Sequence, residues 1–128
     1  MGNVIYLSGR DRCATILLVE SQPLVRLATA AFLRQRDFVV VEATDGEEAL
    51  KFLRAGRPVD LVFSAVELSG AILGLGLART IGREFPQVKI VLNGSGDGTS
   101  LRLERPYDLA DLEGLIRKLM TESTCRKQ

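Results

Sequence analysis

Apolar residues fall along this chain in two alternating rhythms. Thr15-Ile16-Leu17-Leu18-Val19 is a continuous run with apolar residues at four of its five positions and polar residues beyond it, which suits a strand covered on both faces of a parallel sheet. Pro23 is placed to open a helix. Leu24, Leu27, Ala28, Ala31 and Phe32 then recur at helical spacing over residues 23–36, as one face of a helix does. Phe38-Val39-Val40-Val41 predicts a second buried strand. Asp45 and Glu48 form a capping box ahead of a helix whose apolar face is Ala49, Leu50 and Leu53 and which stops at Gly56. Residues 60–65 predict strand three, residues 75–85 a helix stopped by Pro86, and residues 88–92 strand four. Residues 93–100 hold three glycines and no helical period, so they read as a loop. Leu101-Arg102-Leu103 is a short fifth strand, and Asp108 caps a last helix lined by Leu109, Leu112, Leu115, Ile116 and Leu119.

Strands alternating with helices imply parallel pairing and right-handed crossovers. The expected architecture is therefore α/β: a flavodoxin-like, doubly wound five-stranded parallel sheet of order 2-1-3-4-5, its fourth helix short or missing. One domain is expected over residues 15–120, after a partly ordered leader (1–14) and before a polar tail (121–128). The apolar Val4-Ile5-Tyr6-Leu7 of the leader is suited to an extra strand or a dimer contact. In such a sheet the working crevice lies at the carboxyl ends of the strands. The residues there are Glu20-Ser21-Gln22-Pro23, Ser64-Ala65-Val66, Asn93-Gly94 and Arg105-Pro106.

Composition narrows what the crevice can do. The 128 residues are 46% apolar with a net charge of +1, which gives no electrostatic case for nucleic acid or an anionic membrane. There is no histidine, so histidine ligation and histidine acid–base chemistry are excluded. Cys13 and Cys125 are too few for a disulfide framework. No apolar run is long enough to span a bilayer, no signal peptide is recognisable, and a cytoplasmic location is expected. Gly94, Gly96 and Gly98 lack the lysine of a phosphate-binding loop, and Gly74-Leu75-Gly76 does not directly follow a strand. Arg117, Lys118, Arg126 and Lys127 read as a solvated helix end.

Taken with Glu42-Ala43-Thr44-Asp45-Gly46-Glu47-Glu48-Ala49-Leu50 and Arg105-Pro106-Tyr107-Asp108-Leu109, the strand-end residues closely resemble the CheY-like receiver domains of bacterial two-component response regulators, over about residues 15–120. The resemblance implies an acidic pair after strand one, a phosphoacceptor aspartate ending strand three, a hydroxyl ending strand four and Lys-Pro after strand five. Here the acidic pair falls on Glu20 and Ser21, the phosphoacceptor on Ala65, the hydroxyl on Asn93 and the lysine on Arg105; Pro106 is unchanged.

These departures imply a degenerate pseudo-receiver. Phosphoryl transfer needs a carboxylate nucleophile, which alanine does not supply. Mg²⁺ wants several oxygen ligands in octahedral geometry, and one carboxylate with a hydroxyl is a poor set, so no cofactor is expected. Ser64 is expected to point away from the crevice because strand side chains alternate, and Glu67 is the other nearby acid. Arg105 is expected to pair with Glu20 and fill the vacated site. The expected role is a stand-alone, non-enzymatic signalling module of a two-component phosphorelay that works by protein contacts. Its partners are a histidine kinase or an output protein, or a second copy of itself. The alternatives are a phosphorelay receiver with a non-standard acceptor and a small-ligand binder on the same fold.

Overall fold

The computed structural model describes residues 14–93, 101–103 and 109–121. Parallel strands β1 (Thr15–Val19), β2 (Val39–Ala43), β3 (Leu61–Ala65), β4 (Lys89–Asn93) and β5 (Leu101–Leu103) alternate with helices α1 (Pro23–Gln35), α2 (Gly46–Arg54), α3 (Gly74–Glu84) and α4 (Leu109–Thr121). The sheet order is β2-β1-β3-β4-β5. This is the doubly wound α/β sheet that the alternation predicts. The expected shortening of the fourth helix falls on residues 94–100, outside the described residues.

Strand parity divides the core in two. Ile16 and Leu18 on β1, with Leu61 and Phe63 on β3, face α1 and α4 and pack with Ala30, Leu33, Leu112 and Ile116. Leu17, Val19 and Val62 face the other way and pack with Ala49, Leu50 and Leu53 of α2 and Leu77 and Ile81 of α3. The central strands β1 and β3 are therefore apolar on both faces, with the buried Ser64 as the exception on β3. The apolar stripe expected on α2 is buried, and that on α4 faces the core with Leu112, Ile116 and Leu119 buried and Leu109 and Leu115 partly so.

Two expectations are corrected. Most of the stripe read on α1 faces solvent: Leu24 is 81% and Leu27 54% exposed, Ala28 and Ala31 are exposed with them, and of that stripe Phe32 alone packs against the core. The helix instead buries Thr29, Ala30 and Leu33. Both stripes recur every three or four residues, on opposite sides of the helix, so periodicity alone does not choose between them. The small Thr29 and Ala30 let the helix approach the sheet. The second strand is not buried on both faces either, because β2 lies at the sheet edge and leaves Val39 half exposed.

An exposed ion pair joins α2 to α3. Arg54 Nη2 lies 2.8 Å and Nε 3.0 Å from the two carboxylate oxygens of Glu84. The hydrogen bond from Arg54 holds the Glu84 carboxyl below its ordinary range, and the same bond raises the Arg54 guanidinium. A carboxyl lowered by folding contributes stability above its unfolded pKa and loses it as the pH falls through its folded one. At the surface that contribution is small and weakened by salt. Glu84→Gln is thus expected to melt slightly below the wild type at neutral pH, with the gap closing in acid and shrinking with salt. A gap that persisted in strong acid would refute the pairing as its cause.

Candidate functional site

The candidate site lies at the carboxyl ends of β1, β3 and β4, where the connections that follow β1, β2 and β3 meet. The β1 exit is held by the neighbouring strand, as Glu20 N–H donates to Ala43 O at 3.0 Å. Glu20 is buried, with 6% of its surface exposed. Its Oε2 accepts from the Gln22 N–H at 3.1 Å, so part of its charge is compensated by backbone at the start of α1. Arg26, one turn into α1, donates from Nη1 to Glu20 O at 3.0 Å and from Nε to Glu42 at 3.2 Å.

Ser21 has its hydrogen-bonding capacity filled. Its hydroxyl donates to Thr44 O at 2.7 Å and accepts from the Ser69 N–H at 2.8 Å. The Ser69 hydroxyl oxygen lies 3.0 Å away. Ser21 has one proton, already given to Thr44, so Ser69 is the donor in that third contact. One donor and two acceptor sites are the full inventory of a hydroxyl.

The far wall comes from β3 and β4. Ala65 closes β3 and is buried, 4% exposed. It pairs in register with Asn93, which the sequence pattern assigned to a loop but which is the last residue of β4 and equally buried. Asn93 O accepts from the Val66 N–H at 3.1 Å, continuing the ladder one residue past β3. The Ser64 hydroxyl is buried and donates to Ala65 O at 2.8 Å, while Glu67 is exposed. Glu20, Ser21, Ala65 and Asn93 thus come together at one end of the sheet. Arg105 and Pro106, and with them the expected Glu20–Arg105 pair, lie outside the described residues.

The β2–α2 junction borders the same crevice. Asp45 caps α2, accepting from the Glu48 N–H at 2.8 Å. The return bond of the capping box goes one residue further back than the motif implies: Glu48 Oε1 accepts from Thr44 N–H at 2.7 Å and from its hydroxyl at 2.9 Å. This fixes the Thr44 carbonyl that Ser21 uses. Arg26, Thr44 and Ser69 were not legible as crevice residues. Arg26 reaches the Glu20 carbonyl and Glu42 from α1, and Ser69 meets Ser21 across 48 positions of sequence.

Residues 16–123 match the family model of the response regulator receiver domain. The chain belongs to this family. The receiver is 32% identical over 91 residues to the CAI-1 autoinducer sensor kinase/phosphatase CqsS of Vibrio cholerae, covering 70% of this chain and 13% of that protein. It is 29% identical over 119 residues to the sensor kinase CckA of Brucella abortus, covering 84% of this chain and 12% of that one. The chain therefore spans about an eighth of the curated relatives it matches. In three dimensions it is similar to the receiver domain of the hybrid histidine kinase CckA, with a TM-score of 0.73, 29% identity, and coverage of 82% of this chain and 97% of that one. This is a receiver domain of two-component signalling, related to those of hybrid kinases. Among the described residues, no helix is long and apolar enough to cross a membrane.

Proposed function

We propose that this receiver signals through protein contacts in a conformation that phosphorylation does not set. The observation that carries the reading is the buried methyl of Ala65 at the tip of β3. The family resemblance puts the phosphoacceptor carboxylate at that position, and a methyl group has no oxygen with which to attack phosphorus.

The residues around it do not fit the divalent cation that phosphoryl transfer in this family uses. Glu20 is the one carboxylate at the β1 exit and already accepts a backbone hydrogen bond. Ser21 has both acceptor sites taken by Ser69 and its proton taken by Thr44. Octahedral Mg²⁺ needs oxygen donors that are free to turn toward it. The module is accordingly read as non-enzymatic and without a cofactor, its degenerate pocket comprising Glu20, Ser21, Ala65 and Asn93, to which the family resemblance adds Arg105 and Pro106. Its partners are other signalling proteins, a histidine kinase or an output protein. The resemblance to segments of two sensor kinases supports that choice.

Incubation with acetyl phosphate and Mg²⁺, followed by intact-mass measurement, tests the reading. The mass is expected to stay unchanged while a receiver that keeps its strand-three aspartate gains a phosphoryl group in parallel. A stable adduct on this chain, mapped to Glu67 or any other crevice residue, would overturn it in favour of a non-standard acceptor.

A further inference from the structure

We infer that Ser21 is the knot of a hydroxyl latch that ties three crevice loops together and stands where a bound cation would otherwise join them. The inference rests on the reading above that no cation is used here. It deepens that reading by naming what holds the loops instead.

Three separate connections meet on one atom. Ser21 belongs to the β1–α1 loop, Thr44 to the β2–α2 junction and Ser69 to the β3–α3 loop. Ser21 Oγ bonds the second at 2.7 Å, and the third at 2.8 Å through backbone and 3.0 Å through side chain. Each of these bonds is exposed to water, so each alone is worth little. They converge, however, on a single oxygen and span 23 and 48 residues, which makes them a cross-link rather than local turn chemistry.

The β3–α3 loop is shaped to lie where the latch holds it. Gly70 adopts φ +91, a left-handed conformation that glycine takes without strain, and a side chain there would meet Asp45 at 3.8 Å. Ile72 sits over the start of α2, so close that a Cβ on Gly46 would come within 2.8 Å of it. The loop thus passes across the cap of α2 and is anchored at its near end by Ser69. A metal-bound loop can respond when its metal or phosphoryl group comes and goes. In this loop, tied by hydroxyls instead, Leu73 at the far end is 54% exposed.

Hydrogen exchange of the intact protein, read by mass spectrometry on peptides covering residues 66–73, tests the latch. Ser21→Ala removes all three bonds and is expected to speed exchange of this loop by about tenfold, while the β1 and β3 amides stay protected. Ser69→Ala keeps the backbone bond to Ser21 and is expected to give a smaller increase. Millimolar Mg²⁺ is expected to leave wild-type loop exchange unchanged. Unchanged exchange in Ser21→Ala, an effect of Ser69→Ala equal to or larger than that of Ser21→Ala, or loop protection gained by wild type on adding Mg²⁺ would each overturn the latch. The acetyl phosphate experiment judges the parent reading separately: a phosphoryl adduct would sink that reading, whereas the latch is decided by the exchange ratios.

Discussion

Leu33→Ala is expected to cost the fold about 2–5 kcal/mol, whereas Leu24→Ala and Leu27→Ala are each expected to stay within about 0.5 kcal/mol of wild type. All three leucines lie on α1 and look alike in the sequence. Leu33 has no exposed surface and packs in the cluster that holds Ile16, Leu18, Leu61 and Phe63. Truncating its isobutyl side chain to a methyl opens a hole between α1 and the two central strands. Leu24 and Leu27 are already in water, 81% and 54% exposed. Their truncation removes little buried area, and alanine is a better helix former than either. Urea titration of the three variants at constant m-value measures the contrast. A Leu24→Ala midpoint shifted as far as that of Leu33→Ala would mean that α1 is turned by about half a revolution from the orientation described. Domains of this size have about 5–15 kcal/mol in total, so the Leu33 loss is a large fraction of it.

That contrast marks where the sequence was legible and where it was not. Where an element has one apolar stripe, as α2 has in Ala49, Leu50 and Leu53, the stripe is the buried one. Where an element carries apolar residues on two opposite faces, as α1 does, spacing alone does not choose. On α1 the decision is made by groups outside the helix. Arg26 falls on the sheet-facing side, where Glu42 and the Glu20 carbonyl receive it. The crevice shows the same division. The clustering of Glu20, Ser21, Ala65 and Asn93 followed from the rule that strand ends converge. The state of each group did not follow. That the Ser21 hydroxyl is filled depends on Thr44 and Ser69, which reach it only after the sheet has brought β1, β2 and β3 side by side. Asn93 read as a loop residue from its neighbour Gly94, yet pairing with Ala65 extends β4 to include it.

Gly74→Ala is expected to destabilise the receiver by about 1–3 kcal/mol or more, although alanine is ordinarily the best helix residue and position 74 is helical. The reason is contact, not conformation. A Cβ at Gly74 would lie 2.2 Å from Ala65 O, 2.7 Å from Val66 Cα and 2.9 Å from Val66 O. All three are backbone atoms, so no flexible side chain can swing aside. The Gly74 N–H also donates to Val66 O at 2.9 Å, so the first turn of α3 is tied to the strand end it would have to leave. Gly82, two turns further along the same helix, has nothing within 4 Å of an added Cβ. Gly82→Ala is therefore expected to stabilise by about 0.5–1 kcal/mol, from propensity alone. The opposite signs of two identical substitutions in one helix are the measurement, again by urea unfolding. Equal effects would show that α3 does not approach β3 as described. The strain at position 74 also has a direction. Ala65 O and Val66 belong to the crevice wall, so relief of the clash moves the position at which the family resemblance places the phosphoacceptor. It also moves the start of the loop that Ser69 anchors. Loop exchange in Gly74→Ala is thus expected to rise with Ser21 intact, because its anchor would be displaced rather than removed.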